Sequence, residues 1–136
     1  MHRIISIDYG LKRTGIAVTD PLQIIATGLT TVHSKELTPF LKDYFAKEQV
    51  ELIIIGWPTN WDDSATHATP LVKKCIESLK KNFPTMPVKK VDERYTSKMA
   101  KDAMLEMGRK KMQRRNKALV DEIAATIMLQ EYLQKL

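Results

Sequence analysis

Three acids stand at positions where their chemistry could be used. Asp8 closes the apolar run Ile4-Ile5-Ser6-Ile7, Glu93 follows the segment Val88–Asp92, and Asp121 lies at the start of the last apolar-periodic stretch. In an open α/β sheet, ligands collect at the carboxyl ends of the parallel strands. Asp8 and Glu93 occupy such ends, and Asp121 joins them if the final helix packs across those strands. Hard carboxylate oxygens of this kind suit Mg²⁺ or Mn²⁺. Two such ions roughly 3.5–4 Å apart would serve phosphodiester hydrolysis, one activating a water and the other stabilising the departing oxygen. A rigid strand-end carboxylate makes Asp8 the expected bridge between two ions, with Glu93 and Asp121 each completing one shell. Each acid also has a purely structural reading. Asp8 could cap the turn at Gly10, Glu93 could pair with Arg94, and Asp121 could be an acid favoured at a helix start by the macrodipole.

The charge distribution points to a polyanionic partner. The chain carries 22 Lys and Arg against 16 Asp and Glu, a formal +6. Residues 94–117 hold nine of the cations and only two acids, a net +7, so the rest of the chain sums to −1. Such a concentration is the usual footprint of nucleic acid, although a solvated loop can look the same. Arg109, Lys110, Lys111, Arg114, Arg115 and Lys117 would follow a phosphate backbone, each neutralised phosphate adding salt-sensitive affinity. Lys12, Arg13 and Arg94 stand beside two of the acids and could hold phosphates next to the ions. Trp57 and Trp61 either stack on bases, worth about 1–3 kcal/mol each, or pack their loop onto the sheet edge. His2, His33 and His67 lie far in sequence from the acids, so water activation is assigned to metal rather than to a histidine base.

The elements that must position these residues are legible from periodicity. Arg3–Asp8 and Thr14–Thr19 read as strands joined by a short turn, and Gln23–Val32 reads as a third, with Ile24, Ile25 and Leu29 as its apolar members. Thr38-Pro39 signals a helix start, with Phe40, Leu41, Tyr44 and Phe45 behind it at helical spacing. Glu51–Gly56 is a β-branched run typical of a buried parallel strand. Thr69-Pro70 opens a second helix with the stripe Leu71, Val72, Cys75, Ile76 and Leu79, and Val88–Asp92 is a fifth strand. A helix behind Thr96 ends at Gly108, and Leu119–Leu133 is the last helix, with Ile123, Ala124, Ile127 and Met128 inward. The expectation is one α/β domain over residues 1–136, a mixed five-stranded sheet with helices on both faces.

Composition excludes several classes. At 136 residues with 43% apolar and 28% charged positions, the chain is neither disordered nor membranous. No apolar run nears the roughly 18 residues of a spanning helix, and the N-terminal run is too short for a signal peptide. A single cysteine, Cys75, leaves no intrachain disulfide. A cytoplasmic location is expected.

Four segments together resemble one known family. Ile7-Asp8-Tyr9-Gly10-Leu11-Lys12-Arg13-Thr14-Gly15 is similar to its first hairpin, and Ile55-Gly56-Trp57-Pro58-Thr59-Asn60 to its Gly-Leu-Pro-x-Asn turn. Asp92-Glu93-Arg94-Tyr95-Thr96-Ser97 resembles its Asp-Glu-Arg box, and Val120-Asp121-Glu122-Ile123-Ala124-Ala125 its last helix start. The family is the YqgF/RuvX group of bacterial RNase H-like proteins, described both as Holliday junction resolvases and as pre-16S ribosomal RNA nucleases. The resemblance spans nearly the whole chain. It implies an RNase H-like topology, dependence on divalent metal and a cytoplasmic role in ribosomal RNA maturation. Its acidic positions fall on Asp8, Glu93 and Asp121, and its turn adds Asn60 as a substrate contact. Trp57 replaces the usual leucine, and the segment after Asn60 lacks the usual glycine.

Other readings compete with this one. The opening hairpin also resembles the phosphate-binding hairpin of actin-like and sugar-kinase ATPases, which need two such domains. Within the family the substrate could instead be branched DNA, cut by a homodimer, whereas a monomer suits RNA trimming. A third reading is a non-catalytic RNA-binding, ribosome-binding or transcription-associated module. The expected partners are thus a ribosomal RNA precursor or a DNA junction, with a ribosomal particle as host and no membrane.

Overall fold

A computed structural model describes residues 2–58, 69–92, 102 and 117–136. Its strands are β1 (Arg3–Tyr9), β2 (Arg13–Thr19), β3 (Ala26–His33), β4 (Val50–Trp57) and β5 (Val88–Asp92). The helices are α1 (Leu37–Lys47), α2 (Thr69–Asn82) and α3 (Lys117–Gln134), and a single 3₁₀ turn, Ser34–Glu36, leads into α1. The helix expected behind Thr96, with Gly108 at its end, lies outside the described residues. Among the described residues no helix is long and apolar enough to cross a membrane.

The sheet order is β3-β2-β1-β4-β5. The first three strands form an antiparallel meander, while β4 runs parallel to both β1 and β5. This is the expected mixed sheet, with β4 inserted between β1 and β5. Because successive side chains alternate between faces, each strand contributes to two cores. On one face Ile5, Ile7, Ile53 and Ile55 pack against Leu37 and Leu41 of α1 and Val72, Cys75, Ile76 and Leu79 of α2. On the other, Ile4, Ala17 and Ile54 pack against Ala125 and Leu129 of α3. Helices therefore cover both faces, which explains why the interior strand β4 reads Ile53-Ile54-Ile55 without alternation: all three are fully buried.

Buried polar groups fix the layers in register. Ser6 Oγ, on the α3 face of β1, donates to the Ala125 carbonyl at 2.9 Å. Thr19 Oγ1 accepts from the Ile4 amide at 2.9 Å. Ser34 Oγ lies 2.9 Å from Thr14 Oγ1 and donates to the Gly10 carbonyl at 2.5 Å, tying the β1–β2 turn to the start of α1. No buried side-chain nitrogen or oxygen lacks a partner among the described residues, as a well-formed interior requires.

Two local expectations are corrected and a third is extended. The third strand starts at Ala26 rather than Gln23, and Ile24 and Ile25 are 67% and 62% exposed. The cause is Asp20, whose Oδ1 accepts from the Ile24 and Ile25 amides at 2.7 and 2.8 Å and whose Oδ2 accepts from Leu22 at 3.1 Å. That turn, with Gln23 at φ 59°, takes the backbone donors a ladder would have used. Thr38 does not cap α1: the helix begins at Leu37, Glu36 holds the cap position without a side-chain bond, and His33 Nδ1 accepts from the Lys35 amide at 3.2 Å. Pro39 is tolerated because first-turn amides have no intrahelical acceptor. In α3 the buried positions are Val120, Ala124, Ala125, Met128 and Leu129, and Ile123 and Ile127 are half-buried against Val120 and Ala124. Two adjacent alanines let the helix approach the sheet closely, and that sets the stripe.

Candidate metal-binding site

Asp8 emerges from the next-to-last position of β1. Ile4 and Ser6 face α3, so alternation puts Asp8 on that face too, while Tyr9 turns to the opposite core. Its partner on β2 is Gly15. On the other side, one residue beyond the pair Ile7–Ile55, lies Gly56 of β4. Ile54 faces α3, so Gly56 does as well. The strand positions flanking Asp8 on this face thus carry no side chain.

α3 lies directly on this part of the sheet. A Cβ on Gly15 would overlap the Asp121 carbonyl and come within 2.9 Å of the Glu122 nitrogen. A Cβ on Gly28 of β3 would come within 2.7 Å of Glu122 Oε1. Thr31 Oγ1 donates to the Ala118 carbonyl at 2.6 Å, anchoring the first turn of α3 to β3. The backbone of Asp121 is therefore seated over Gly15, the ladder partner of Asp8, despite the long stretch of chain between them. α3 begins at Lys117 and has no acid in its first turn, which removes the macrodipole account of Asp121. Its carboxylate instead meets Arg13: Nε lies 3.0 Å from Oδ2, with the two side chains 38% and 26% exposed.

The third expected ligand is only approached. β5 ends at Asp92, which pairs with Trp57, and Val91 packs on the α3 side. β1 and β5 flank β4, so their ends are two strand spacings apart, roughly 10 Å. Glu93, the next residue, lies outside the described residues, as do Asn60, Arg94, Arg109, Lys110, Lys111, Arg114 and Arg115, and the side chain of Lys117. Among the described residues no three His, Cys, Asp or Glu side chains assemble as a metal cage. Asp8 and Asp121, the two expected acids among the described residues, carry the hard carboxylate oxygens that a divalent cation of this kind takes.

The remaining candidates divide clearly. Lys12 is exposed in the β1–β2 turn, its carbonyl accepting from the Ser34 amide at 3.0 Å. Trp57 is half-buried against the α1/α2 core with Lys90 Nζ 4.1 Å from its ring centroid, so the packing role is the one the structure displays. Burial pushes the Cys75 thiol up to about 12, which makes it a core residue rather than a nucleophile. Sequence reasoning missed Gly15 and Gly28 as seats for α3 and the pairing of Arg13 with Asp121. The only available signal was a glycine within each of two strands, which often marks a close backbone approach.

A family model described as "RuvX: Holliday junction resolvase" matches residues 2–135. A protein of Flavobacterium psychrophilum named "Putative pre-16S rRNA nuclease" is 55% identical over 135 residues, covering 99% of this chain and 98% of its own. A protein of the same name from Bacteroides thetaiotaomicron is 57% identical over 134 residues, 98% of this chain and 97% of its own. Among solved structures, Thermus thermophilus RuvC in complex with Holliday junction substrate aligns with a TM-score of 0.56 at 13% identity, over 99% of this chain and 96% of that one. That likeness is one of fold.

Proposed function

The chain belongs to the RuvX family, and from that premise we propose that it is a divalent-metal-dependent nuclease that processes the precursor of 16S ribosomal RNA. The observation that carries this reading is that Gly15 is both the ladder partner of Asp8 and the residue against which the Asp121 backbone rests. Relatives of equal length named for pre-16S rRNA cleavage support the substrate. Bound Mg²⁺ or Mn²⁺ would supply an activated water and stabilise the oxygen that leaves the phosphodiester. Asp8 provides the rigid central carboxylate, Asp121 provides a second from α3, and Glu93 a third from the end of β5. Lys12, Arg13 and Arg94 contribute positive charge toward the scissile phosphate, Asn60 a polar contact from the turn after β4, and Arg109–Lys117 a basic track for the flanking strand. The setting is the cytoplasm, on a ribosomal particle, as a monomer or a homodimer.

A second reading keeps the same residues and changes the substrate to a four-way DNA junction, which the family's description favours. The test is side-by-side incubation of the purified chain with a precursor 16S rRNA fragment and with a junction, each in Mn²⁺ and in EDTA. Metal-dependent cleavage of the RNA, absent in Asp8→Asn, is the expected result. Cleavage of the junction alone would transfer the assignment to DNA. Binding without cleavage of either, unchanged in Asp8→Asn, would leave a non-catalytic nucleic-acid module.

A further inference from the structure

Arg13 was expected to face a phosphate, yet its guanidinium is already engaged. It is the first residue of β2 and shares a face with Gly15 and Ala17, the face α3 covers. From there Nε reaches Asp121 Oδ2 at 3.0 Å. Asp8 lies on the same face, paired with Gly15 two residues along β2 from Arg13. A cation beside a carboxylate favours its charged form. Arginine suits the task because it stays charged at any pH the protein meets.

We propose that Arg13 is the resident counter-ion of Asp121, holding its carboxylate over Gly15 when no divalent ion is bound and yielding it when one binds, so that this side chain sets the site's affinity for the metal. The proposal rests on the metal-dependent reading above. A guanidinium beside a ligand carboxylate has two consequences of opposite sign. It stabilises the metal-free site, because the ion pair compensates the charge of Asp121 in a half-buried position. It also weakens cation binding, because the incoming ion must displace one positive charge and sit near it. Arg13 is thus a positioning residue whose removal tightens metal binding while loosening the metal-free fold.

The experiment uses the full chain without nucleic acid: calorimetric titration with Mn²⁺, and thermal melts in EDTA and in Mn²⁺, for the wild type, Arg13→Gln, Arg13→Lys and Asp8→Asn. Arg13→Gln should bind Mn²⁺ about tenfold more tightly, the scale on which groups behind a ligand act. Its Tm in EDTA should fall below that of the wild type, and Mn²⁺ should raise its Tm by more than it raises the wild type's. Arg13→Lys, which keeps the charge, should stay within a few-fold of wild-type affinity. If Arg13→Gln is unfolded in EDTA, recovery of its melting transition on adding Mn²⁺ supports the proposal, and no recovery overturns it. Unchanged or weaker Mn²⁺ affinity in Arg13→Gln, with binding abolished in Asp8→Asn, overturns the role of Arg13 alone. A wild type that takes up no Mn²⁺ overturns this role and the metal-dependent reading together.

Discussion

Gly15 of β2 and Asp121 of α3 meet backbone against backbone: the space a Cβ would take at Gly15 is filled by the Asp121 carbonyl. Gly15 is also the ladder partner of Asp8. One residue without a side chain therefore joins the strand that carries Asp8 to the helix that carries Asp121.

Gly15→Ala should separate the two. The obstructing atoms are backbone, so relief requires α3 or β2 to shift, at a cost of about 1–3 kcal/mol by the scale of overpacked interiors. Metal-dependent RNA cleavage should drop by more than the loss of folded protein explains. Parallel melts and cleavage assays check this, and wild-type values in both would show that the seat has slack.

Arg114 and Arg115 belong to the basic run and test its part in binding. Replacing both with Ala should weaken RNA binding and flatten the plot of log affinity against log salt by about 1.4 units, taking roughly 0.7 per phosphate contact on a single strand. Binding isotherms at several salt concentrations measure it. An unaltered slope would place the run away from the nucleic acid.

Asp20 carries a pH dependence. Amide donors, that of Ile25 foremost, hold its carboxyl below the ordinary carboxylate range. A carboxyl whose folded-state value is lowered adds stability that is complete above its unfolded value and is lost as pH falls through the folded one. The stability gap between the wild type and Asp20→Ala should therefore be widest near neutrality and close in acid below the usual carboxylate range. Urea melts over that range test it, and a gap independent of pH would refute it.

Cys75 should resist alkylation. With its thiol pushed up to about 12 and its side chain in the α1/α2 core, almost no thiolate forms near neutral pH. Iodoacetamide should label it only in denaturant. Rapid labelling of the native chain would mean that α2 opens readily from the sheet.

Much of this architecture is legible before any coordinates. The β-branched stretch Ile53–Ile55 requires burial on both faces, and α2 shows its buried side as Val72, Cys75, Ile76 and Leu79. Both signals are periodicities over a few neighbouring residues. The start of β3 is misread because Ile24 and Ile25 are apolar and β-branched, yet a carboxylate several residues earlier binds their amides. Hydrophobic pattern reports what a segment would gain by burial, and it is silent about a competing acceptor for its backbone.

The sequence by itself determined the types of the described elements, the order in which they follow one another, the concentration of cations between 94 and 117, and the candidate acids. Only the tertiary structure decided that β4 enters between β1 and β5, that Gly15 and Gly28 seat α3, and that Arg13 claims Asp121. The physical reason is range. Helix and strand preferences arise from groups within one or two turns of chain, so they are written locally. An ion pair or a backbone contact between segments a hundred residues apart depends on the sheet order and helix placement that all the elements settle together.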